Sequence, residues 1–308
     1  MTAPKRTGTG TGVLWSTEQP NPRTADLDRL PTLEMVRAIH AEDHLAVAAV
    51  DEVLAEVARA ADLMAEAYRR GHRWLFVGAG TSGRIALAEA AECPPTFGTP
   101  PERIVAVMAG GAGALARARE GAEDDEAAAV ADLDGQGLAA GDVVIGLAAS
   151  GRTPYVLSAV AHGRARGAAT IGVTSVPGST LCSRVDVAIA PDTGPEAVLG
   201  STRLKAGTAQ KLVTNMLTTA AMVRLGRVYQ NLMVDMKATN EKLRGRAVRL
   251  VVLATGTDPE SAQAALDAAG GSVKQAIVQV AVGVAPEEAA RLLAATEGHL
   301  RPIVEPAH

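Results

Sequence analysis

Aromatic residues are scarce in this 308-residue chain, which has two tryptophans, three tyrosines and two phenylalanines. Proteins that bind single-stranded nucleic acid stack the bases on aromatic side chains. The formal net charge of -4 also provides no basic surface for a phosphate backbone. We therefore exclude nucleic acid as a partner. The apolar fraction of 47% comes mostly from alanine, valine and leucine, which predicts a helix-rich core with close backbone packing.

Cysteines and long apolar runs are also few. Cys93 and Cys182 are too far apart in the sequence to form a C-x-x-C metal or redox motif, so we expect a reducing, cytoplasmic setting. No stretch reaches about 18 uninterrupted apolar residues, so no membrane span is expected. The opening MTAPKRTGTGTGVLW lacks the apolar segment of a secretory signal, and its Gly/Thr repetition predicts a flexible leader over residues 1–15.

Helical and β-branched segments alternate through the middle of the chain. An alanine-rich stretch from Thr32 to Gly71 predicts two helices. Helical stretches then separate the first four of five β-branched runs, which cover residues 73–77, 103–109, 142–148, 169–174 and 185–190. Apolar strands that alternate with helices are typical of a parallel sheet covered on both faces. We predict an α/β fold, a three-layer αβα sandwich with a five-stranded parallel, flavodoxin-like sheet.

The last third of the chain follows a different pattern. A polar loop comes after the fifth run and leads into a helix predicted over about residues 203–225. Three short helical segments then follow, DPESAQAALDAAGG, SVKQAIVQVAVG and APEEAARLLAATEG, with Pro259 and Pro286 in positions typical of a helix start. These segments predict a small helical appendage.

The first predicted strand leads into a glycine-rich turn, FVGAGTSGRIALAEAAECPP, in which Gly78, Gly80 and Gly83 spell G-x-G-x-x-G. A strand, this motif and a helix are typical of dinucleotide-binding folds. NAD binding also requires an acidic residue at the end of the second strand, where this chain has VMAGG. The turn therefore predicts an anion site at a helix N-terminus, with Thr81 and Ser82 as hydroxyl donors to a phosphate.

The third predicted strand ends in a second hydroxyl-rich loop, LAASGRTPYV, which contains Ser150, Gly151 and Thr153. In the strand order 2-1-3-4-5, the first and third strands flank the switch point at which open α/β sheets bind ligands. The two loops then face one crevice, which favours a phosphorylated small molecule as the ligand. The alternative is that Ser150 and Thr153 only cap the following helix.

Both loops resemble those of the sugar isomerase (SIS) domain, a phosphosugar-binding fold. Longer stretches between about Ser16 and Ala247 are similar to the N-acetylmuramic acid 6-phosphate etherase family: VGAGTSGR, AAECPPTFGTPP, EGAEDD, AASGRTPYV, GSTRLKAGTAQKLVTNML and NLMVDMKATNEKLRGRA. With this resemblance we assign residues 16–62 to an N-terminal helical arm and residues 63–230 to the SIS phosphosugar-binding domain. Residues 231–308 form the C-terminal helical region.

The resemblance implies a lyase that cleaves the D-lactyl ether of N-acetylmuramic acid 6-phosphate, giving N-acetylglucosamine 6-phosphate and D-lactate. It also implies that no metal or organic cofactor is needed, that the chain forms a homodimer, and that it serves cell-wall sugar recycling. Two glutamates match the family's catalytic positions, Glu92 in AAECPP and Glu123 in EGAEDD. By resemblance, Glu92 protonates the leaving lactate and Glu123 removes the proton at C2, which requires carboxyls in different protonation states.

Apart from the resemblance, the sequence supports a catalytic role for Glu92 better than one for Glu123. Two prolines follow Glu92 and Cys93, so we expect the helix to close there and the carboxyl of Glu92 to be partly desolvated. Glu123 lies among other acidic residues, a pattern that by itself predicts a solvated acidic face. Along a continuous helix, Glu92 would lie about 15 Å beyond Ser82. Either the helix bends or ends early, or Glu92 serves a site whose phosphate loops belong to the other subunit. We predict the second, a composite active site at a dimer interface.

The loop GPEAVLGSTRLKAGTAQK supplies further candidate ligands. Glu196, Ser201, Thr202 and Lys205 could reach over the crevice to bind sugar or phosphate. The alternative for each is an ordinary polar loop and helix cap.

A histidine pair precedes the sheet. His40 and His44 lie four residues apart, with Glu42 and Asp43 between them, a spacing that superficially resembles a metal pair. The sequence offers no third ligand, so we expect a solvated helix face and no metal site.

Two other functions stay open on the sequence. A non-catalytic phosphosugar-binding regulator, like the glucokinase regulatory proteins, would keep the phosphate loops and lose the acid–base pair. An aldose–ketose isomerase of the same fold would need a base at C2 but no acid directed at C3. Glu92 and Glu123 are both present, which favours the etherase.

Overall fold

The computed structural model describes residues 15–117, 119–238 and 240–305. Short 3-10 turns at Ser16–Glu18, Pro22–Thr24 and Leu27–Arg29 precede two long helices, α1 (Thr32–Asp51) and α2 (Leu54–Arg69). The prediction of two helices over this stretch is confirmed. The leader predicted over residues 1–15 lies outside the described residues, except for Trp15.

The sheet contains five parallel strands in the order β2-β1-β3-β4-β5. The strands are β1 (Trp74–Gly78), β2 (Ile104–Met108), β3 (Val143–Leu147), β4 (Ala169–Val173) and β5 (Val187–Ile189). Each lies within its predicted run, with Gly78 the one added residue. Gly78 is paired with Met108 on one side and with Leu147 on the other, so the glycine-rich turn leaves the sheet at the predicted switch point.

Helices cover both faces of this sheet. They are α3 (Gly80–Phe97), the short α4 (Gly113–Ala116), α5 (Glu126–Gly135), α6 (Pro154–Ala165) and α7 (Lys205–Arg224). Trp74 and Phe76 of β1 pack in one core with residues of α2, α3 and α7, whereas Leu75 and Val77 pack in a second core with α5 and α6. Successive strand residues point to opposite faces, so this alternation confirms the three-layer sandwich.

The C-terminal part of the chain is helical and has its own apolar cluster. It contains α8 (Glu241–Thr255), α9 (Pro259–Ala268), α10 (Val273–Val278), α11 (Pro286–Ala295) and α12 (Arg301–Val304). Pro259 and Pro286 each begin a helix, as predicted. The division at residues 62/63 and 230/231 stays a prediction: α2 continues across the first boundary, and Tyr229 packs with the C-terminal cluster. None of the helices in the described ranges has the length and hydropathy that a bilayer crossing requires.

Helix α3 does not close at the prolines that follow Glu92, so that expectation is wrong. The helix runs through Pro94 and Pro95 to Phe97, and Gly98 ends it with a φ of 65°. Both prolines lie in its last turn. Pro94 and Pro95 have no N–H for the carbonyls four residues earlier, those of Ala90 and Ala91, but Ala91 is exposed and Ala90 half-buried, so water can satisfy these carbonyls. Residues 80–97 therefore form one continuous helix, which keeps Ser82 and Glu92 about 15 Å apart.

Candidate active site

The glycine-rich turn brings the N-terminus of α3 directly against the end of β1. Gly80 has a φ of 54°, which favours glycine. A Cβ on Gly78 would lie 2.7 Å from the backbone nitrogen of Gly83, and a Cβ on Gly83 would lie 2.7 Å from Cγ of Met108. These three glycines are thus required by backbone conformation and by close helix–strand packing. The result is a helix N-terminus at the switch point, where backbone N–H groups favour an anion.

The two hydroxyls of the turn have different surroundings. Ser82 is buried, and its Oγ donates a hydrogen bond of 2.8 Å to Oε1 of Gln210 on α7. The amide nitrogen of Gln210 is buried without a partner among the described residues. Thr81 is half-buried and approaches Gly207 of α7. In this conformation the hydrogen of Ser82 is taken by Gln210, so Thr81 is the hydroxyl of the turn that is better placed to meet a ligand.

The second predicted loop lies after β3. Gly151 has a φ of 63°, and a Cβ there would lie 2.0 Å from Oγ of Ser179. Oγ of Ser150 accepts a hydrogen bond of 3.3 Å from the backbone N–H of Arg152. Thr153 occupies the N-cap position of α6, but its side chain makes no capping hydrogen bond within the described part of the chain. The helix-cap alternative therefore does not describe Thr153.

A cavity of about 230 Å³ joins the glycine-rich turn to the acidic segment that contains Glu123. Glu123 lies in a 3-10 turn, Ala122–Asp124, and is exposed to solvent. Two arginines, Arg84 and Arg119, line the same cavity, and a second cavity of about 450 Å³ shares the wall formed by residues 119–122. Glu123 and Gly80 thus line a common cavity, a proximity that the acidic pattern alone does not reveal.

Glu92 lies outside that cavity lining in the described chain. Its side chain is 69% exposed, and its Oε2 lies 3.8 Å from Nζ of Lys211 on α7. The chain itself therefore does not supply the desolvation expected from the neighbouring cysteine and prolines, because Cys93 faces the core and Glu92 faces solvent. Any desolvation of Glu92 has to come from a ligand or from another subunit.

A second glutamate of α3 is buried instead. Glu89 accepts a hydrogen bond of 2.5 Å from Oγ1 of Thr218 and lies 3.5 Å from Nζ of Lys211. Burial, with the charges of Glu89 and Glu92 nearby, raises the pKa of the Cys93 thiol to about 12, so this cysteine stays neutral. Sequence reasoning missed Glu89 and Lys211. The available signal was spacing, since Glu89 and Glu92 lie three residues apart on one helix face.

Glu196 and Lys205 do not reach over the crevice. Glu196 is fully buried and accepts hydrogen bonds of 2.9 and 3.0 Å from the backbone N–H groups of Lys205 and Ala206. Burial raises the pKa of Glu196, and these two hydrogen bonds oppose the increase. The helix-cap alternative thus describes Glu196, which caps α7. Ser201 is half-buried in the loop before α7, where its carbonyl accepts from the N–H of Leu204.

The ammonium of Lys205 is also committed within the chain. Its Nζ lies 2.6 Å from Oε2 of Glu42, and Arg23 donates to both carboxylate oxygens of Glu42. Hydrogen bonding from Arg23, with further contributions from Lys205, holds the pKa of Glu42 at about 2. His40 and His44 are exposed, so the solvated helix face expected for the pair is confirmed. Glu42, which lies between them, is 2% exposed and does not share that face. No group of three metal-ligating side chains occurs among the described residues.

Comparison with known sequences identifies the family. A domain model described as the SIS domain matches residues 128–220, and one described as the glucokinase regulatory protein N-terminal SIS domain matches residues 56–163. The N-acetylmuramic acid 6-phosphate etherase of Symbiobacterium thermophilum is 56% identical over 84% of this chain and 86% of its own. That of Mycolicibacterium smegmatis is 51% identical over 92% of this chain and 96% of its own. This chain belongs to the N-acetylmuramic acid 6-phosphate etherase family.

Solved structures agree with the fold of this etherase-family chain. A phosphoheptose isomerase from Francisella tularensis superposes with a TM-score of 0.50 at 18% identity, over 63% of this chain and 100% of its own. A protein from Bacteroides fragilis, described as a phosphosugar isomerase involved in capsule formation, gives a TM-score of 0.51 at 22% identity, over 65% of this chain and 95% of its own. Identities this low show the shared fold alone. The regulator alternative is not favoured, because the etherase relatives match most of the chain.

Proposed function

We propose that this chain is a carbon–oxygen lyase of the hydro-lyase type that cleaves the D-lactyl ether of N-acetylmuramic acid 6-phosphate. The products are N-acetylglucosamine 6-phosphate and D-lactate, and the reaction serves recycling of cell-wall amino sugars in the cytoplasm. One observation supports this most: Glu123 lines the same cavity as Gly80 of the phosphate-binding turn. A carboxylate close to an anion site can act on the carbon skeleton of a bound sugar phosphate.

The chemistry uses the two glutamates in turn. In the open-chain sugar, C2 is adjacent to the aldehyde, so the carboxylate of Glu123 takes the C2 proton and an enolate forms. The electron pair then makes the C2–C3 double bond as the C3–O bond breaks, and Glu92 protonates the departing lactyl oxygen. The carboxylate of Glu92 next takes a proton from water, which adds at C3. Protonated Glu123 returns a proton to C2, so both glutamates regain their starting states.

The phosphate is bound by the two hydroxyl-rich loops. Backbone N–H groups at the start of α3 and the hydroxyl of Thr81 supply donors on one side. Ser150 and Thr153 supply hydroxyl donors on the other side, since both loops follow neighbouring strands. Gly151, whose N–H donates to the carbonyl of Ala148, leaves room beside Ser179 for the loop to take this shape. Ser82 donates to the phosphate once its hydroxyl turns away from Gln210, to which it donates in this conformation. Among the remaining candidates, Ser201 is retained as a sugar ligand, whereas Glu196 and Lys205 hold the loop before α7 in place.

The site is completed by a second copy of the chain. Glu92 lies about 15 Å along α3 from the turn, so the Glu92 that serves one phosphate site comes from the other protomer. Helix α1 also carries apolar side chains exposed to solvent, a surface that a homodimer would cover: Leu33, Val36, Leu45 and Val47.

Complementation tests the composite site. Glu92→Ala and Glu123→Ala proteins are each inactive, but half of the dimers formed by mixing and re-dimerising them carry one site with both glutamates. We expect about a quarter of wild-type activity to return. Absence of any recovery in verified mixed dimers would assign both glutamates to one protomer.

The function itself is tested by D-lactate release from N-acetylmuramic acid 6-phosphate. Wild type is expected to release lactate, and Glu92→Ala or Glu123→Ala to lower the rate by about a hundredfold or more. N-acetylglucosamine 6-phosphate, which lacks the lactyl group, is the control substrate, and its turnover by isomerisation would indicate an isomerase. Undiminished lactate release by both variants would remove the assignment of the glutamates.

A further inference from the structure

An ionic cluster connects α3 and α7 beside Glu92. Nζ of Lys211 lies 3.5 Å from Oε2 of Glu89 and 3.8 Å from Oε2 of Glu92. The Glu89 side chain is 6% exposed and the Glu92 side chain is 69% exposed. Lys211 therefore bridges an interior carboxylate and a surface carboxylate that lie three residues apart on one helix.

The interior carboxylate fixes the position of the ammonium group. Glu89 is held on its other oxygen by the hydroxyl of Thr218, at 2.5 Å. A lysine side chain is flexible and its ammonium is a compact charge with rotatable donors. Pairing with an immobilised, buried carboxylate restricts that flexibility, so the cation stays next to Glu92.

From this geometry, and resting on the function proposed above, we propose that Lys211 is a positioning residue for the general acid Glu92. When Glu92 gives its proton to the lactyl oxygen, a full negative charge appears on its carboxylate. An ammonium group fixed 3.8 Å away stabilises that charge as it develops. The same ion pair orients the carboxylate for the proton it next takes from water. Lys211 thus acts on the C3–O step and leaves the C2 step, which belongs to Glu123, unaffected.

The exposure of Lys211 distinguishes this role from simple neutralisation of Glu89. Lys205, on the same helix, serves a buried carboxylate and is itself buried, with 1% of its side chain exposed. Lys211 is 39% exposed and extends from Glu89 to the surface where Glu92 lies. Neutralisation of Glu89 alone does not require that extension.

The test removes the cation without leaving a buried charge. In Glu89→Gln/Lys211→Met, the amide oxygen of the new side chain can still accept from Thr218. We expect D-lactate release to fall about tenfold to a hundredfold, whereas deuterium uptake from solvent at C2 of recovered substrate stays within about twofold of wild type. Lys211→Arg keeps the charge and is expected to retain most of the lactate release. Arg224→Met is the matched control, because it removes an exposed α7 cation that pairs with Asp62.

The outcomes separate this inference from the proposed function. Wild-type lactate release by the double variant overturns the role of Lys211 and leaves the etherase assignment intact. Parallel loss of lactate release and C2 exchange also overturns it, since that result indicates a general structural defect. A wild-type chain that releases no lactate overturns both. If the double variant melts below the assay temperature, the same ratio is measured on Lys211→Gln, whose amide can still donate to Glu89.

Discussion

Two lysines of α7, six residues apart, both pair with carboxylates but differ in their exposure to solvent. Lys205 and its partner Glu42 are both almost completely buried, and Arg23 donates to the same carboxylate. Lys211 is partly exposed and pairs with Glu89 inside and Glu92 outside. We call the first group (Arg23, Glu42 and Lys205) the closed cluster, and the second (Glu89, Glu92 and Lys211) the open cluster.

The two clusters are expected to serve different purposes, the closed cluster folding and the open cluster catalysis. In the closed cluster each charge is compensated within the chain, and the cluster ties the N-terminal segment to the start of α7. Loss of Lys205 takes a buried cation away from the carboxylate of Glu42 and leaves that carboxylate paired with the partly exposed Arg23, which is costly. In the open cluster one carboxylate remains at the surface and available for proton transfer. We therefore expect substitutions in the closed cluster to change folding, and those in the open cluster to change turnover.

The largest contrast is expected between Lys205→Met and the double variant Glu89→Gln/Lys211→Met. Removal of a partner from the buried pair is expected to lower the free energy of unfolding by about 3 kcal/mol. In Glu89→Gln/Lys211→Met the loss is expected to be about 1 kcal/mol, because Glu89→Gln leaves no buried charge behind and Lys211 itself is partly exposed. Urea unfolding of both variants measures the difference. Equal losses would show that the two clusters contribute alike to folding.

The pH dependence of stability tests the contribution of Glu42 in the closed cluster. Hydrogen bonding from Arg23, with help from Lys205, lowers the pKa of Glu42 from 4.5 to about 2. Because the folded-state pKa lies below the unfolded one, this stabilisation is complete above about pH 4.5 and is lost as the pH falls toward 2. Its size is on the order of 3 kcal/mol. Between pH 5 and pH 2, the free energy of unfolding should decrease more steeply for wild type than for Glu42→Gln. Identical slopes would contradict the lowered pKa of Glu42.

The smallest effect on stability and activity is expected from substitution of Thr153, whose side chain does not cap α6. Its hydroxyl makes no capping bond in the described structure, so Thr153→Val should leave the melting temperature nearly unchanged. Loss of one hydrogen bond to phosphate should raise KM by roughly tenfold, with kcat little affected. Thr153→Ser, which keeps the hydroxyl, is the control. A drop in melting temperature without a change in KM would restore the helix-cap interpretation.

The sheet could be predicted because its signals are local. Each β-branched run and each glycine at a strand end reflects the conformation of its own segment, and the strand order follows from chain connectivity in this fold class. The glycine-rich turn was recognisable for the same reason, since Gly80 needs a positive φ and Gly78 and Gly83 need close packing. Helix α3 departed from local rules at Pro94 and Pro95, where two prolines in a last turn are tolerated.

The polar clusters could not be predicted because their partners are distant in sequence. Glu42 and Lys205 are 163 residues apart, and Thr218 and Glu89 are 129 apart. Sequence neighbours therefore suggested a solvated face for Glu42 and a ligand role for Lys205, and both side chains are buried. For Glu123, the acidic neighbours predicted only a solvated face. The cavity that it shares with Gly80 was not predictable from them.

The separate roles of Glu92 in the C3–O step and Glu123 in the C2 step are tested most directly by Glu92→Ala. Incubated with N-acetylmuramic acid 6-phosphate in D2O, this variant should take up deuterium at C2 at close to the wild-type rate while releasing almost no D-lactate. Lactate release at the wild-type rate would contradict the role of Glu92. Loss of both deuterium uptake and lactate release from a folded variant would contradict the separation of the two steps.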